Sequence, residues 1–203
     1  MAPDQAIECA NLDAICVSEG DVPVVELARQ LEEGKWPSGI SNLWIRHPKS
    51  GEIEKNPTAP FNEDLDTIPH VDRTLWEPWV ANPHEEASIL VGRGCPYKCT
   101  YCSAPGFLEN FKEQGEWLRN KPMDMIFDEI RYYIKELNVE YFYFVSETFL
   151  AIPKARLDEF FDRYEEIKIP FWFNTRAETI KKHTVKRLEE VGCHRISIGL
   201  ECG

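Results

Sequence analysis

The sequence predicts an α/β protein whose main part is an incomplete parallel (βα) barrel of about four units. From residue 87 onward, short apolar or aromatic segments alternate with helical patterns, which is typical of parallel βα units. A closed barrel of this kind needs eight strands, so about four units predict only a partial barrel. The four predicted strands are residues 88–91, 139–145, 171–173 and 195–198.

Three helices are predicted between these strands. The first starts at Asp124, a suitable N-cap residue, and continues with apolar side chains at helical spacing. The second covers about residues 155–167, with four apolar or aromatic side chains on one side. The third covers residues 184–191 and is ended by Gly192, a residue that favours helix termination.

The first 56 residues hold fewer elements. A strand at 13–17, a helix over about 23–33 and a hairpin of 40–46 with 52–55 are predicted there. These elements bury too little apolar surface for a complete core, so residues 1–56 are expected to be the C-terminal part of a larger α/β domain.

A proline-rich linker is predicted over residues 57–86, because five prolines make long regular elements unfavourable there. The partial barrel then covers residues 87–203. The chain stops at the carboxyl end of the fourth predicted strand, where parallel α/β proteins place their sites. We therefore expect this domain to be truncated.

Composition narrows the classes of function. A formal net charge of −12 over 203 residues argues against nucleic acid or an anionic membrane as the main partner. No apolar run has the length of a membrane span, and the N-terminus lacks the features of a secretory signal. A cytoplasmic location is expected. In that reducing compartment, the seven cysteines are expected to be metal ligands or buried thiols.

Three of the cysteines form a motif. Cys95, Cys99 and Cys102 have C-x3-C-x2-C spacing and follow a predicted strand through a loop that contains Gly92 and Gly94. Glycine lets a backbone approach a bound group closely, because it has no Cβ. Thiolates are soft ligands, which indicates an iron–sulfur cluster or zinc. Three ligands leave one metal position open to chemistry.

A structural zinc site is the alternative interpretation of these cysteines. Such a site usually has four ligands from paired motifs, and no second C-x2-C follows here. Cys193 or Cys202 would have to supply the fourth thiolate from about a hundred residues further along the chain. The spacing favours the iron–sulfur interpretation.

The motif Cys95-x3-Cys99-x-Tyr101-Cys102, placed after a first strand and before βα repeats, resembles the radical SAM superfamily (SAM is S-adenosylmethionine) over residues 87–203. The resemblance implies that the three cysteines hold a 4Fe-4S cluster whose fourth iron binds SAM. It also implies reductive cleavage of SAM to a 5′-deoxyadenosyl radical that abstracts hydrogen. Tyr101 would contact the adenine of SAM.

The same resemblance suggests SAM contacts at the ends of later strands. Glu147, after the second strand, would hold the SAM ammonium group, although the two glycines usual before it are absent. Arg176, at the end of the third strand, would pair with the SAM carboxylate, with an ordinary salt bridge as the alternative. Glu201 would contact SAM at the end of the fourth strand, where Cys202 replaces the serine usual in the family.

Residues 7–80 resemble the end of the cobalamin-binding domain and the linker that precede many radical SAM barrels. The segment 15–21 matches a loop of that domain, with Ser18 in place of the first glycine of its Gly-Glu-Gly sequence. The Asp-x-His-x-x-Gly cobalamin motif is absent from the chain. The resemblance implies cobalamin in the parent enzyme and, as usual outcomes, methyl transfer to an unactivated carbon or phosphorus or a ring rearrangement.

Two other functions stay open at this point: a radical SAM enzyme of another subgroup, such as a methylthiotransferase, and a non-catalytic zinc or iron–sulfur module. The resemblance implies an electron donor such as flavodoxin or ferredoxin, and a small-molecule or peptide substrate that the sequence does not identify. The isolated chain is expected to be inactive, because a partial barrel leaves apolar strand edges exposed.

Overall fold

A computed structural model of the protein describes residues 2–82 and 84–200. The chain forms two compact units, which we call the hairpin unit and the barrel unit. The hairpin unit consists of Met1–Glu63 and Lys98–Trp117. The barrel unit consists of Asp64–Tyr97 and Leu118–Gly203.

The hairpin unit contains a three-stranded antiparallel sheet in the order β1-β2-β3. Its small core is formed by Ile40, Leu43 and Ile45, with Ala14 and Leu27 packed against them. The predicted hairpin is present as β2 and β3. The elements are α1 (Pro3–Ile7), β1 (Ala14–Cys16), α2 (Asp21–Glu32), β2 (Leu43–Arg46), β3 (Ile53–Lys55) and α3 (Ala104–Asn110).

The barrel unit is built on a four-stranded parallel sheet in the order β4-β7-β8-β9. A separate antiparallel pair, β5 and β6, follows the first strand of this sheet. The elements are β4 (Ala87–Leu90), β5 (Gly92–Arg93), β6 (Arg119–Asn120), α4 (Met123–Leu137), β7 (Phe142–Val145), α5 (Lys154–Tyr164), β8 (Phe171–Arg176), α6 (Lys182–Glu190) and β9 (Cys193–Gly199).

Alternating side chains give the parallel sheet two different faces, because successive residues of a strand point to opposite sides. One face packs on α4, α5 and α6 in a single apolar core. Strands β7 and β8 contribute four fully buried phenylalanines to this core: Phe142, Phe144, Phe171 and Phe173. Burying a side chain of this size contributes about 1.5–3 kcal/mol. We call the opposite face the inner face.

The helices of the barrel unit differ from the prediction at their ends. Helix α4 begins at Met123, so Asp124 lies within the first turn instead of capping it. The Asp124 carboxylate accepts a hydrogen bond from Arg163 Nη1 at 2.8 Å. The helix ends at Asn138, which adopts a left-handed conformation with φ of 49°, a common way to end a helix. Strand β7 therefore begins later than predicted.

No helix within the described part of the chain combines the length and the apolar character that a membrane span requires.

Candidate functional site

The loop after β4 is shaped by close backbone approach. Val91 O accepts a hydrogen bond from Lys121 N at 3.1 Å, next to the β5–β6 pair. A Cβ on Gly92 would lie 2.7 Å from the carbonyl oxygen of Arg119, so any larger residue would displace β6. Gly94 has a φ of +87°, which favours glycine. The two glycines therefore fix the path of the chain into the cysteine motif.

The three motif cysteines are thiols, not disulfides. Cys95 belongs to the barrel unit and is half-buried, with its Sγ 3.9 Å from Oγ1 of the buried Thr148. Cys99 and Cys102 belong to the hairpin unit, where Cys102 N donates to Cys99 O at 3.2 Å. Ala104 N donates to Cys102 Sγ at 3.4 Å.

Across residues 2–82 and 84–200, no three His, Cys, Asp or Glu side chains are gathered as a metal site. The donor set itself fits a soft metal, because three thiols within eight residues supply the ligands that iron–sulfur clusters use. Tyr101 lies in the same segment with an exposed ring. Its contact with the adenine of SAM stays a prediction.

A cavity of about 240 Å³ opens beside the loop that carries Cys95. Its walls include Gly92–Gly94, both residues of β6, and Ser146 and Thr148 after β7. All of these residues lie in the barrel unit, at the carboxyl end of the parallel sheet. Ligands of open α/β sheets bind at this end of the strands.

Two of the predicted SAM ligands lie at strand ends. Glu147 is exposed, two residues beyond the end of β7. Arg176 ends β8, where its Nε donates to Glu178 Oε1 at 2.6 Å and its guanidinium lies 4.5 Å from the ring centroid of Tyr97. The Arg176 hydrogen bond lowers the pKa of Glu178. The salt bridge considered as the alternative for Arg176 is thus present, and SAM contacts by either residue stay predictions.

Glu201 and Cys202 lie outside the described residues, so their predicted positions at the end of the fourth strand stay predictions.

The inner face of the sheet holds polar and aromatic groups that the sequence analysis did not single out. Tyr143, Trp172 and Asn174 alternate along β7 and β8 with the buried phenylalanines of the other face. Arg195 on β9 is paired in register with Trp172. The alternation Phe-Tyr-Phe-Val and Phe-Trp-Phe-Asn was the signal in the sequence for this second face.

Comparison with known proteins identifies the family. Residues 89–203, more than half of the chain, match the Radical SAM superfamily. The chain belongs to this superfamily, and the resemblance drawn from the cysteine motif is confirmed.

Curated relatives are similar along nearly the whole chain. An uncharacterized methyltransferase of Pyrococcus horikoshii is 24% identical over 197 residues, which are 96% of this chain and 41% of that protein. An anaerobic magnesium-protoporphyrin IX monomethyl ester cyclase of Rubrivivax gelatinosus is 24% identical over 211 residues, covering 99% of this chain and 36% of that protein. The chain thus spans about two fifths or less of the length of these relatives.

Solved structures share the fold. The radical SAM methyltransferase TsrM of Kitasatospora setae, solved with tryptophan and a SAM analogue, superposes with a TM-score of 0.67 at 14% identity, covering 96% of this chain and 38% of that chain. The cobalamin-dependent SAM radical enzyme OxsB, solved with aqua-cobalamin and SAM, gives a TM-score of 0.68 at 21% identity. The superposition covers 100% of this chain and 30% of the OxsB chain. The predicted fold class, an α/β partial radical SAM barrel, is confirmed.

Proposed function

We propose that this chain carries the cluster-binding and SAM-binding part of a radical SAM enzyme. The observation that carries the proposal is the cysteine motif, which follows β4, the first strand of the parallel sheet, and begins two residues after the short strand β5. Cys95, Cys99 and Cys102 would hold a 4Fe-4S cluster. When bound, the cluster supplies the electron for reductive cleavage of SAM to methionine and a 5′-deoxyadenosyl radical.

The residues around the motif would bind and orient SAM. Glu147 would accept hydrogen bonds from its ammonium group, and Tyr101 would contact its adenine. Arg176 would donate to its carboxylate; a guanidinium has five N–H donors, so it can keep Glu178 while it binds a second carboxylate. Glu201 is proposed as a further contact.

Anaerobic reconstitution with iron and sulfide tests this proposal. We expect about four irons per chain, and an electron paramagnetic resonance spectrum of the reduced cluster that changes when SAM is added. Cys99→Ala should lose the cluster. Cys9→Ala is the matched control, because Cys9 is an exposed cysteine outside the motif, and it should load iron as the unchanged chain does. Stoichiometric zinc binding without any response to SAM would show that the proposal is wrong.

We also propose that the enzyme uses cobalamin and transfers methyl groups. Support comes from the loop before α2, which is held in place from several sides. Asn42 Nδ2 donates to Glu19 O at 2.9 Å, and Glu19 Oε2 accepts from Asn62 N at 3.0 Å. The Oγ of Ser18 is buried and has no hydrogen-bond partner within the described residues. A preformed loop with an unsatisfied hydroxyl fits a polar ligand.

Equilibrium dialysis against hydroxocobalamin tests the cobalamin proposal. The chain is expected to retain cobalamin, and Ser18→Phe should reduce the retained amount at least tenfold by filling the loop. Ser41→Phe places the same side chain at an exposed position of the hairpin unit and should change nothing. The cobalamin proposal fails if the unchanged chain retains no more cobalamin than a dialysis blank.

Further properties follow from the family and are proposed with it. The electron donor would be a flavodoxin or ferredoxin, the substrate a small molecule or peptide, and the location cytoplasmic. The relatives named above include a cyclase named for a tetrapyrrole ester and a methyltransferase solved with tryptophan, so planar aromatic substrates deserve testing first. We expect no turnover from the 203-residue chain by itself.

A further inference from the structure

Thr148 is a buried polar residue at the carboxyl end of the parallel sheet. It lies three residues beyond the end of β7 and is 5% exposed. Its Oγ1 lies 3.9 Å from Sγ of Cys95, the first cysteine of the motif. Both residues belong to the barrel unit, and the chain neighbours of Cys95, Gly94 and Pro96, line the same cavity as Thr148. A buried hydroxyl thus faces the sulfur of a proposed cluster ligand.

The backbone on both sides of Thr148 is held in place by the barrel unit itself. Thr148 N donates to Ser146 Oγ at 3.3 Å, and Thr148 O accepts from Ala151 N at 3.0 Å. The next residue, Phe149, is 1% exposed, and its ring centroid lies 4.6 Å from that of Phe173 in the core. The hydroxyl is therefore placed beside Cys95 by contacts that involve no cysteine.

The hydroxyl of Thr148 can act as an acceptor or as a donor toward the sulfur. A threonine hydroxyl has one proton to donate and two lone pairs that accept. Thr148 Oγ1 lies within donating distance of Glu147 O, at 2.7 Å, and can accept the S–H of Cys95 at the same time. Cysteine binds a metal as a thiolate, which has no proton to donate. Rotation of the hydroxyl about its own C–O bond would then direct its proton to Cys95 Sγ.

A hydroxyl directed at a ligand sulfur has a predictable effect on an iron–sulfur cluster. The reduced cluster carries one more negative charge than the oxidised cluster, so the partial positive charge of the proton stabilises the reduced form more. Hydrogen bonds to the sulfurs are among the features that set the reduction potential of such clusters. Partners of metal ligands also orient those ligands, and their loss weakens metal binding.

We propose that Thr148 is a positioning residue of the metal centre, whose hydroxyl donates to Cys95 Sγ when this cysteine ligates a metal. In the 4Fe-4S cluster, this hydrogen bond raises the reduction potential. The effect on the potential rests on the proposed function, because it requires Cys95 to be a cluster ligand.

A redox titration of the reconstituted 203-residue chain, followed by electron paramagnetic resonance without SAM, tests this inference. Thr148→Val removes the hydroxyl and keeps the shape of the side chain. At the midpoint potential of the unchanged chain, the ratio of reduced to oxidised cluster should fall about threefold or more in this variant, as expected for the loss of one hydrogen bond. Thr148→Ser keeps the hydroxyl and should keep the ratio.

Thr184→Val is the matched control, because Thr184 is also a buried threonine, 6% exposed, but lies on α6. It should leave the ratio unchanged. A urea transition for each variant separates a change in the cluster from a loss of folding. An unchanged ratio in Thr148→Val, or an equal fall in Thr148→Ser or Thr184→Val, would overturn the inference.

A zinc titration in competition with a chromophoric chelator separates the inference from the proposed function. Zinc binds thiolates and has no redox chemistry. We expect Thr148→Val to weaken zinc binding about tenfold and Thr148→Ser to leave it unchanged. If the chain accepts no cluster but shows this difference for zinc, the proposed function fails and the contact between Thr148 and Cys95 stands. If the unchanged chain binds neither metal, Cys95 is not a ligand and both fail.

Discussion

Replacement of Glu129 by alanine is expected to lower the free energy of unfolding by about 3–5 kcal/mol, the usual cost of removing one partner of a buried ion pair. Glu129 is 3% exposed and accepts hydrogen bonds from Lys121 Nζ and, at 2.9 Å, from Tyr133 Oη. Lys121 is 7% exposed. In Glu129→Ala its ammonium group would stay buried without the carboxylate that compensates its desolvation. Urea unfolding followed by circular dichroism measures the effect.

Glu136→Ala serves as the control for this prediction. Glu136 lies on the same helix, is exposed, and pairs with Lys135, so its loss should change the free energy of unfolding by no more than about 0.5 kcal/mol. The double variant Lys121→Met/Glu129→Leu should recover most of the stability, because apolar pairs often replace buried ion pairs at little cost. Equal effects of Glu129→Ala and Glu136→Ala would contradict the burial argument.

Replacement of Phe144 by alanine should also cost about 3–5 kcal/mol, the usual range for a fully buried phenylalanine. Phe144 is fully buried at the centre of the core. Its ring meets Phe160 edge-to-face at 5.0 Å and Phe171 at 5.3 Å. Alanine would leave a cavity beside these two rings. Neither ring can move to fill the cavity without losing the contacts that it makes now, because the core is closely packed. Thermal and urea unfolding of the variant would measure the loss.

Trp79→Ala removes an even larger aromatic side chain from the barrel unit, but Trp79 is 83% exposed. We expect a change within about 0.5 kcal/mol. If Phe144→Ala were tolerated as well as Trp79→Ala, Phe144 could not occupy the core position described above.

The alternation of strands and helices could be predicted from the sequence because each long element repeats its characteristic spacing of apolar side chains several times. The β5–β6 pair has only two residues in each strand, so no periodicity exists to detect. Helix α3 contains Pro105 and Gly106, which are poor helix formers. Each missed element is therefore short or built from residues with weak local preferences.

Only those parts of the candidate site that depend on local sequence spacing could be predicted. The cysteine spacing is a local property of the chain, so Cys95, Cys99 and Cys102 could be named from the sequence alone. Burial of Glu129 depends on packing, although its position three residues after Ile126 and four before Tyr133 places it on the apolar side of α4. A charged carboxylate on the apolar side of a helix contradicts the hydrophobic pattern of that helix, so the sequence does contain a signal for the burial of Glu129.

The contact of Trp172 with Tyr143 and Arg195 depends on strand register, which brings together residues about 30 and 20 positions apart along the chain. No local pattern reports register directly. The two aromatic residues alternate with core phenylalanines in the sequence, but their partner on β9 could be identified only from the assembled sheet.

The two faces of β7 and β8 also allow stability and specificity to change separately. Side chains turned toward the helices are interlocked with many neighbours, so a substitution there requires compensating changes. Tyr143, Trp172 and Asn174 alternate with them on the same strands, and Tyr143 stacks on Trp172 and accepts a hydrogen bond from Asn174. A library that randomises only these three positions would change the polar face of the sheet and leave the apolar core unchanged. The polar face of the same sheet can in this way diverge in evolution while the folding core stays unchanged.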